Sequence, residues 1–291
     1  MTLVVPFAPG GITDTLARIT AARLQSALGQ PFVVENYAGA AGLIATERVA
    51  RARPDGYTLL FSTITQIAIA PFTNQITYDP IKDFKPVSII ATSPFVLTTS
   101  ADFPAKTLSD FIAYVKARPG QFTYGTAGAG SLSHISAAVF LKRAGLDMTM
   151  VPYHGLAPAF ADLLAGNVQM VSATPVELLP YLHSDKVRLL ASSGAQRSAG
   201  LPDIAAIAET IPGHEIITWN GILAPALTPQ QVVDTLVDKI LAAEADEQFS
   251  GRLRQIGVDP ATVTPDQFQK RIIADMAYWS KVIPEMGLQA Q

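Results

Sequence analysis

The apolar positions fall in short runs divided by turn signals, and the type of run alternates. An apolar strand at Val4-Val5 passes through Pro6-Phe7-Ala8-Pro9-Gly10-Gly11 into a helical pattern with Leu16, Ile19, Thr20, Leu24 and Ala27 on one face, ending near Gly29. Residues 31–36 read as a strand, Gly39-Ala40-Ala41-Gly42 opens a second helix to about Arg51, and Pro54-Asp55-Gly56 turns the chain into a strand over 57–62. Strand, loop and helix recur in that order. This predicts right-handed crossovers and a mostly parallel sheet with its loops gathered at one edge. Residues 70–86 show no clear period and are expected to be irregular, followed by strands at 87–91 and 95–99.

The pattern then repeats. Thr107-Leu108-Ser109-Asp110 starts a helix that Arg118-Pro119-Gly120 stops, and 122–124 form a strand. Gly125-Thr126-Ala127-Gly128-Ala129-Gly130 is a loop, and Ser131 caps a helix carrying Leu132, Ile135, Val139 and Phe140. Beyond it the spacing predicts a strand at 148–153, a helix at 157–164 closed by Gly166-Asn167, and a strand at 168–172. A short helical turn to Leu182, a strand at 186–191, and a helix after Pro202 running to about Glu209 complete this part. Residues 215–219 read as a return crossover. Amphipathic helices opened by Thr228-Pro229 and Thr264-Pro265-Asp266 should pack back on the first half. The expected domains are 1–99 plus 220–291, and 100–219, with a hinge of two crossovers near Ser100 and at 215–221.

Both glycine loops lead from a strand into a helix start, where unpaired N–H groups and the positive end of the helix dipole make an anion cradle. Composition narrows the occupant. The 291 residues are 49% hydrophobic and 15% charged, with a net charge of −3, which leaves no field to hold nucleic acid or an anionic membrane. There are no cysteines, so disulfides, thiolate catalysis and Cys-ligated metals are excluded. No apolar run approaches the ~20 residues that span a bilayer. Met1 abuts what reads as an interior strand, so a leader and the first residues of strand one are expected to lie outside this sequence.

Catalytic patterns are missing. The glycine spacing at 125–130 is wrong for a dinucleotide fingerprint, neither loop carries the Lys-Ser/Thr of a P-loop, and Ala129 and Ser133 stand where a nucleophile elbow around Ser131 needs glycines. His134, His154, His183 and His214 have no metal-ligand spacing. No metal and no cofactor is expected. Simpler readings stand beside the cradle: Gly10-Gly11 as a tight turn, Asp14 complementing a helix dipole, and His134 hydrogen-bonded to its loop rather than acting as a base. Likewise Thr63, Thr126 and Ser131 can be ordinary loop hydroxyls, and Trp219 and Phe72 packing residues.

Five motifs in order, Val-Val-Pro-Phe-Ala-Pro-Gly-Gly-Ile-Thr-Asp at 4–14, Val-Glu-Asn-Tyr-Ala-Gly-Ala-Ala-Gly at 34–42, Pro-Asp-Gly-Tyr-Thr-Leu-Leu at 54–60, Tyr-Gly-Thr-Ala-Gly-Ala-Gly-Ser at 124–131 and Val-Pro-Tyr-His-Gly at 151–155, resemble the Bug (TctC-like) solute-binding proteins of tripartite tricarboxylate transporters. The likeness continues to Trp219 and Leu223-Ala224-Pro225 and so covers essentially the whole chain. The resemblance implies a two-domain α/β periplasmic-binding-protein fold (Venus flytrap, type II), a periplasmic location, and delivery of a small carboxylate to membrane permease subunits, with no catalysis. It implies ligand contacts at Phe7, Ala8, Gly10, Gly11, Thr13 and Asp14 from one domain, and at Thr126, Ala127, Gly130, Ser131 and His134 from the other. Thr63, Thr65 and Thr174 are expected to add hydroxyls, and a monomer is expected. Ala173 stands where many relatives have an aspartate, and His154 where relatives often carry lysine. With no acid at Ala173 to meet an ammonium group, an amine-free mono- or dicarboxylate is expected, with Phe7, Phe72 and Trp219 lining an apolar middle. A ligand-sensing domain is the alternative. An enzyme using His134 as base is disfavoured by the lack of a nucleophile, metal set or carboxylate pair.

Overall fold

The computed structural model describes residues 1–181, 184–198 and 200–287; Leu182 and His183, named above, lie outside them. The chain forms two compact units, the first built from Met1–Thr92, Trp219–Arg254 and the chain from Pro260 onward, the second from Ser93–Thr218 and Gln255–Asp259. In chain order the elements are β1 (Thr2–Val5), α1 (Ile12–Leu28), β2 (Val33–Asn36), α2 (Leu43–Ala50), β3 (Thr58–Thr63), α3 (Ala70–Thr73), β4 (Phe84–Pro94), β5 (Val96–Ser100), α4 (Leu108–Lys116), β6 (Thr123–Thr126) and α5 (Leu132–Ala144). They continue as β7 (Thr149–Pro152), α6 (Leu156–Ala165), β8 (Met170–Ala173), α7 (Pro175–Leu178), β9 (Val187–Ser192), β10 (Ile217–Pro225), α8 (Gln230–Glu244), α9 (Glu247–Gln255), β11 (Asp259–Pro260) and α10 (Pro265–Glu285).

The first sheet has the order β11-β4-β10-β3-β1-β2, and the second β7-β6-β8-β5-β9. β1 runs parallel to β2 and β3, and β6 parallel to β7 and β8, as strand-loop-helix alternation requires. The sheets are mixed, however. β10 is antiparallel to β3, and β5 is antiparallel to β8 and β9. Strands buried on both faces account for the continuous apolar runs: Leu3, Val4, Val5, Leu59, Leu60 and Phe61 are all sealed. The second unit has its own core around Phe111, Phe140 and Leu141, with a satellite around Phe160 and Leu163.

Caps follow the predicted chemistry. Gly29 and Gly166 end their helices in the left-handed conformation at φ 64° and 79°, and Thr264 with Gln267 forms a capping box on α10. Several expectations change. The helix predicted after Pro202 is only a 3₁₀ turn at Ile207–Glu209, because the Ser192 N–H donates to Ala205 O and Ser192 bridges Ala206, holding that stretch extended. The stretch expected to be irregular begins with a helix, α3, preceded by a π-helical turn at Thr65–Ile69, and α9 had no sequence signal. The strand at 96–100, assigned above to the first domain, pairs with β8 and β9 and so belongs to the second unit. Residues 255–259 also join that unit, where Ser198 Oγ donates to Asp259 Oδ2 over 2.7 Å.

Candidate functional site

Strand order locates the ligand edge of each unit. β1 is followed by β2 on one side and β3 lies on its other side; β6 is likewise flanked by β7 and β8. Chain direction across the sheet therefore reverses beside β1 and beside β6, and open α/β sheets bind ligands at the carboxyl ends of strands at such a switch point. Both glycine loops leave the sheet at these places.

In the first loop, Ala8 to Gly11 are exposed and Phe7 is half-buried. Gly10 has φ 91°, which glycine alone adopts without strain, whereas Gly11 has φ −78°. Gly11 is the N-cap of α1 and offers no side chain, so the helix begins with no side-chain cap. The N–H groups of its first turn precede any intrahelical acceptor and carry the positive end of the dipole. Asp14 is not available to a ligand. Its carboxylate, 3% exposed, accepts from Gly10 N–H at 2.9 Å, Arg18 Nε at 3.0 Å and Asn36 Nδ2 at 2.9 Å, and Asn36 Nδ2 also donates to Phe7 O at 3.0 Å. Burial raises the carboxyl pKa, but the hydrogen bonds from Arg18, Gly10 and Asn36, with the charge of Arg18, outweigh it and hold the group below its usual range. Asp14 shapes the loop. Thr13 lies buried in the first turn of α1.

The loops after β2 and β3 meet the first at Gly42. A Cβ there would stand 2.7 Å from both the Pro6 side chain and the Gln66 amide. Gln66, fully buried in the π-helical turn, accepts at Oε1 from Thr63 N–H at 3.2 Å, Thr63 Oγ1 at 2.9 Å and Ser62 Oγ at 3.3 Å, and donates from Nε2 to Ala41 O at 2.8 Å. Thr63 is thereby committed to the framework, its hydroxyl also accepting from Thr65 N–H at 3.3 Å. Thr65 is half-buried at the start of that turn. Ala40 and Ala41 hold left-handed backbone at φ 46° and 54°, a strained arrangement for residues with a Cβ. α2 begins at Gly42, again without a side-chain cap.

The second loop satisfies itself. Ser131 caps α5, accepting from His134 N–H at 3.2 Å and donating to Gly128 O at 2.7 Å. Ala127 N–H donates to Ser133 Oγ at 2.9 Å, Gly128 N–H to Thr126 Oγ1 at 3.2 Å, and Gly130 N–H to His134 Nδ1 at 3.1 Å. The N–H groups of Ala127 and Gly130, expected to meet a ligand, are thus spent on the loop, and Thr126 is fully buried. Accepting at Nδ1 assigns His134 the neutral Nε2–H tautomer, and burial lowers its pKa accordingly. It is a loop staple, stacked beside Tyr124 at 6.4 Å.

Ala173 is sealed in the satellite core with Val96 and Phe160, so its lack of a charge says nothing about what a ligand carries. Thr174, half-buried after β8, forms a capping box with Glu177 on α7. Trp219 is core: 1% exposed, edge-on to Phe268 and donating from Nε1 to Asp275 at 2.8 Å. Phe72 is half-buried and His154 exposed. Sequence reasoning missed Gln66, since one glutamine inside the apolar run 64–70 reads as a helix position, and missed Asn36, whose role needs the β2 end beside α1. Among the described residues no group of three or more His, Asp or Glu is placed to hold a metal, and no helix is long and apolar enough to cross a membrane.

Known proteins resemble this chain over its whole length. Residues 16–288 match the model of the tripartite tricarboxylate transporter family receptor, TctC. The chain is 34% identical to Protein BugT of Bordetella pertussis, over 98% of this chain and 88% of that protein. A structure titled R. palustris Rpa4515 with adipate superposes with a TM-score of 0.86 at 36% identity, covering 100% of this chain and 98% of that one. The periplasmic binding protein BugD superposes at 0.82 with 32% identity, covering 100% and 98%. Two α/β units with glycine loops at their switch points, matched end to end by these relatives, identify the chain as a member of the tripartite tricarboxylate transporter receptor (TctC, or Bug) family, whose members are solute-binding proteins and not enzymes.

Proposed function

We propose that the protein captures a small amine-free mono- or dicarboxylate outside the cytoplasm, in the periplasm, and delivers it to the membrane permease subunits of a tripartite tricarboxylate transporter. The observation that carries this reading is the start of α1, which has no side-chain cap, at the switch point of the first sheet. A carboxylate there takes charge-assisted hydrogen bonds from N–H groups that lack an intrahelical acceptor, with no ion pair to desolvate. Asp14, the acid nearest that point in the loop, has its carboxylate filled by Gly10, Arg18 and Asn36, which leaves nothing there for a ligand ammonium. Adipate, bound in the Rpa4515 structure, has two carboxylates and no amine. The binding unit is a monomer that closes about its two crossovers.

The test is a thermal-shift screen of the purified chain against aliphatic dicarboxylates from four to eight carbons, benzoate-type acids, glutamate and aspartate, with mass spectrometry of any co-purifying molecule. At a hundredfold excess over Kd the ligand should stabilise the fold by about 2.7 kcal/mol. Stabilisation by glutamate or aspartate alone would overturn the amine-free assignment, and stabilisation by no acid would overturn the carboxylate reading.

A further inference from the structure

Asn220 is buried to 4% exposure at the end of the first sheet where the loops gather, yet its side chain makes no hydrogen bond to any described residue, and its Oδ1 is a buried acceptor with no donor. A buried carboxamide left unbonded costs stability, and with no partner among the described residues its NH2 end is free to meet one from outside. Its direction follows from the sheet. Trp219 contacts Phe268 and Asp275 on α10, and a Cβ on Gly221 would stand 2.6 Å from the Phe268 ring, so both neighbours face α10. Asn220, between them, points to the other face. There it lies directly opposite Thr63 in the antiparallel β10–β3 pair, and opposed residues share a face with Cβ atoms about 5 Å apart.

Thr63 is the residue whose hydroxyl and N–H are bound to Gln66, the staple of the three-loop cluster. Gln66 in turn meets the first loop at Gly42, where a Cβ would stand 2.7 Å from both the Gln66 amide and the Pro6 side chain, so Thr63 and Gln66 lead from Asn220 to the first cradle. Since Oδ1 is sealed, the donor Nδ2 is the end of the amide able to meet a ligand.

We infer that Asn220 is a specificity-determining residue of the ligand site, its Nδ2–H donating to a carboxylate oxygen of the bound acid. The inference rests on the carboxylate reading above. It gives the first unit a neutral side-chain donor in addition to backbone N–H groups, and it makes the site select against ligands that present a donor at that point.

Calorimetric titration of wild type, Asn220→Leu and Asn220→Asp with adipate tests it, using the strongest acid of the screen if adipate does not bind. Asn220→Leu should bind at least tenfold more weakly while its melting temperature stays level or rises, because the substitution removes an unbonded polar group. Asn220→Asp should lose at least a hundredfold for the diacid and much less for its half-amide, whose NH2 can donate to the new carboxylate. Wild-type binding with Asn220→Leu unchanged within twofold would overturn the inference alone, as would a lower melting temperature accompanied by unchanged affinity. A wild type that binds no acid would instead overturn the carboxylate reading.

Discussion

Gly11 and Gly10 are neighbours with different reasons to be glycine. Gly10 is fixed by its positive φ, but Gly11 has an ordinary φ, and a Cβ there meets only Ala8 O at 4.0 Å. Gly11→Val should therefore leave the fold intact, at an N-cap cost of about 0.5–1 kcal/mol, while weakening ligand binding at least a hundredfold, as read by calorimetry; unchanged affinity would make the first loop a turn and nothing more. Gln66 is the opposite case. Gln66→Ala removes the partner of Ser62, Thr63 and Ala41 at a fully buried point, and urea unfolding should show a loss of about 2–4 kcal/mol. His214 is fully buried with neither ring nitrogen bonded, and burial, with the nearby Arg143 charge, lowers its pKa to about 4. Below pH 6.5 the unfolded state takes up a proton that the folded state refuses, so stability falls from about pH 6.5 to pH 4, by about 3 kcal/mol, and then levels. His214→Leu should flatten that slope in chemical unfolding measured across the range; an unaltered slope would assign it to other groups. Asp14 acts lower: its depressed pKa gives stability present above the unfolded value of 3.8 and lost as pH falls through the folded one. None of these roles can be read from residue type alone, since an acid, an amide and a histidine become structural only when the fold supplies or withholds partners.

At the scale of elements, the helix starts divide the labour. α5 is capped by Ser131 and α10 by Thr264, but α1 and α2 begin on glycines without a side-chain acceptor, at the edge where the anion is expected. Gly11→Asp should supply the missing acceptor in cis, raising the stability of the unliganded protein by about 0.3–1 kcal/mol and abolishing acid binding. Reduced stability together with retained binding would show that the α1 start is not the anion site. The glycine loops and their helices were legible in the sequence because Pro and Gly punctuate them and the apolar period changes from strand to helix at the same points. The left-handed Ala40-Ala41 pair was not, because alanine gives no signal for that backbone, which the Gln66 staple and the 3₁₀ turn at Ala40–Gly42 hold. α9 escaped because its exposed face is strongly charged and only Phe249 and Leu253 anchor it as buried apolar residues. Extended pairing of Ser192 with residues 205–206 overrode the helical pattern before Glu209.

For the whole molecule, the alternating pattern was enough for a two-domain α/β fold, but the expected continuous stretch 100–219 depended on strand pairing that no local signal carries: β5 joins the second sheet, and residues 255–259 join the second unit. β4 and β10 each run from one unit into the other, and these two strands are where we propose the hinge. Closure driven by ligand contacts should reduce the radius of gyration in X-ray scattering at saturating acid, and identical curves would argue against it. A crystal structure of the protein with the strongest acid from the screen would show whether a carboxylate sits on the bare start of α1. Carboxylate oxygens should lie within about 3.2 Å of N–H groups among Gly11, Ile12 and Thr13. An acid bound elsewhere, or held at that loop through an arginine or lysine side chain, would contradict it.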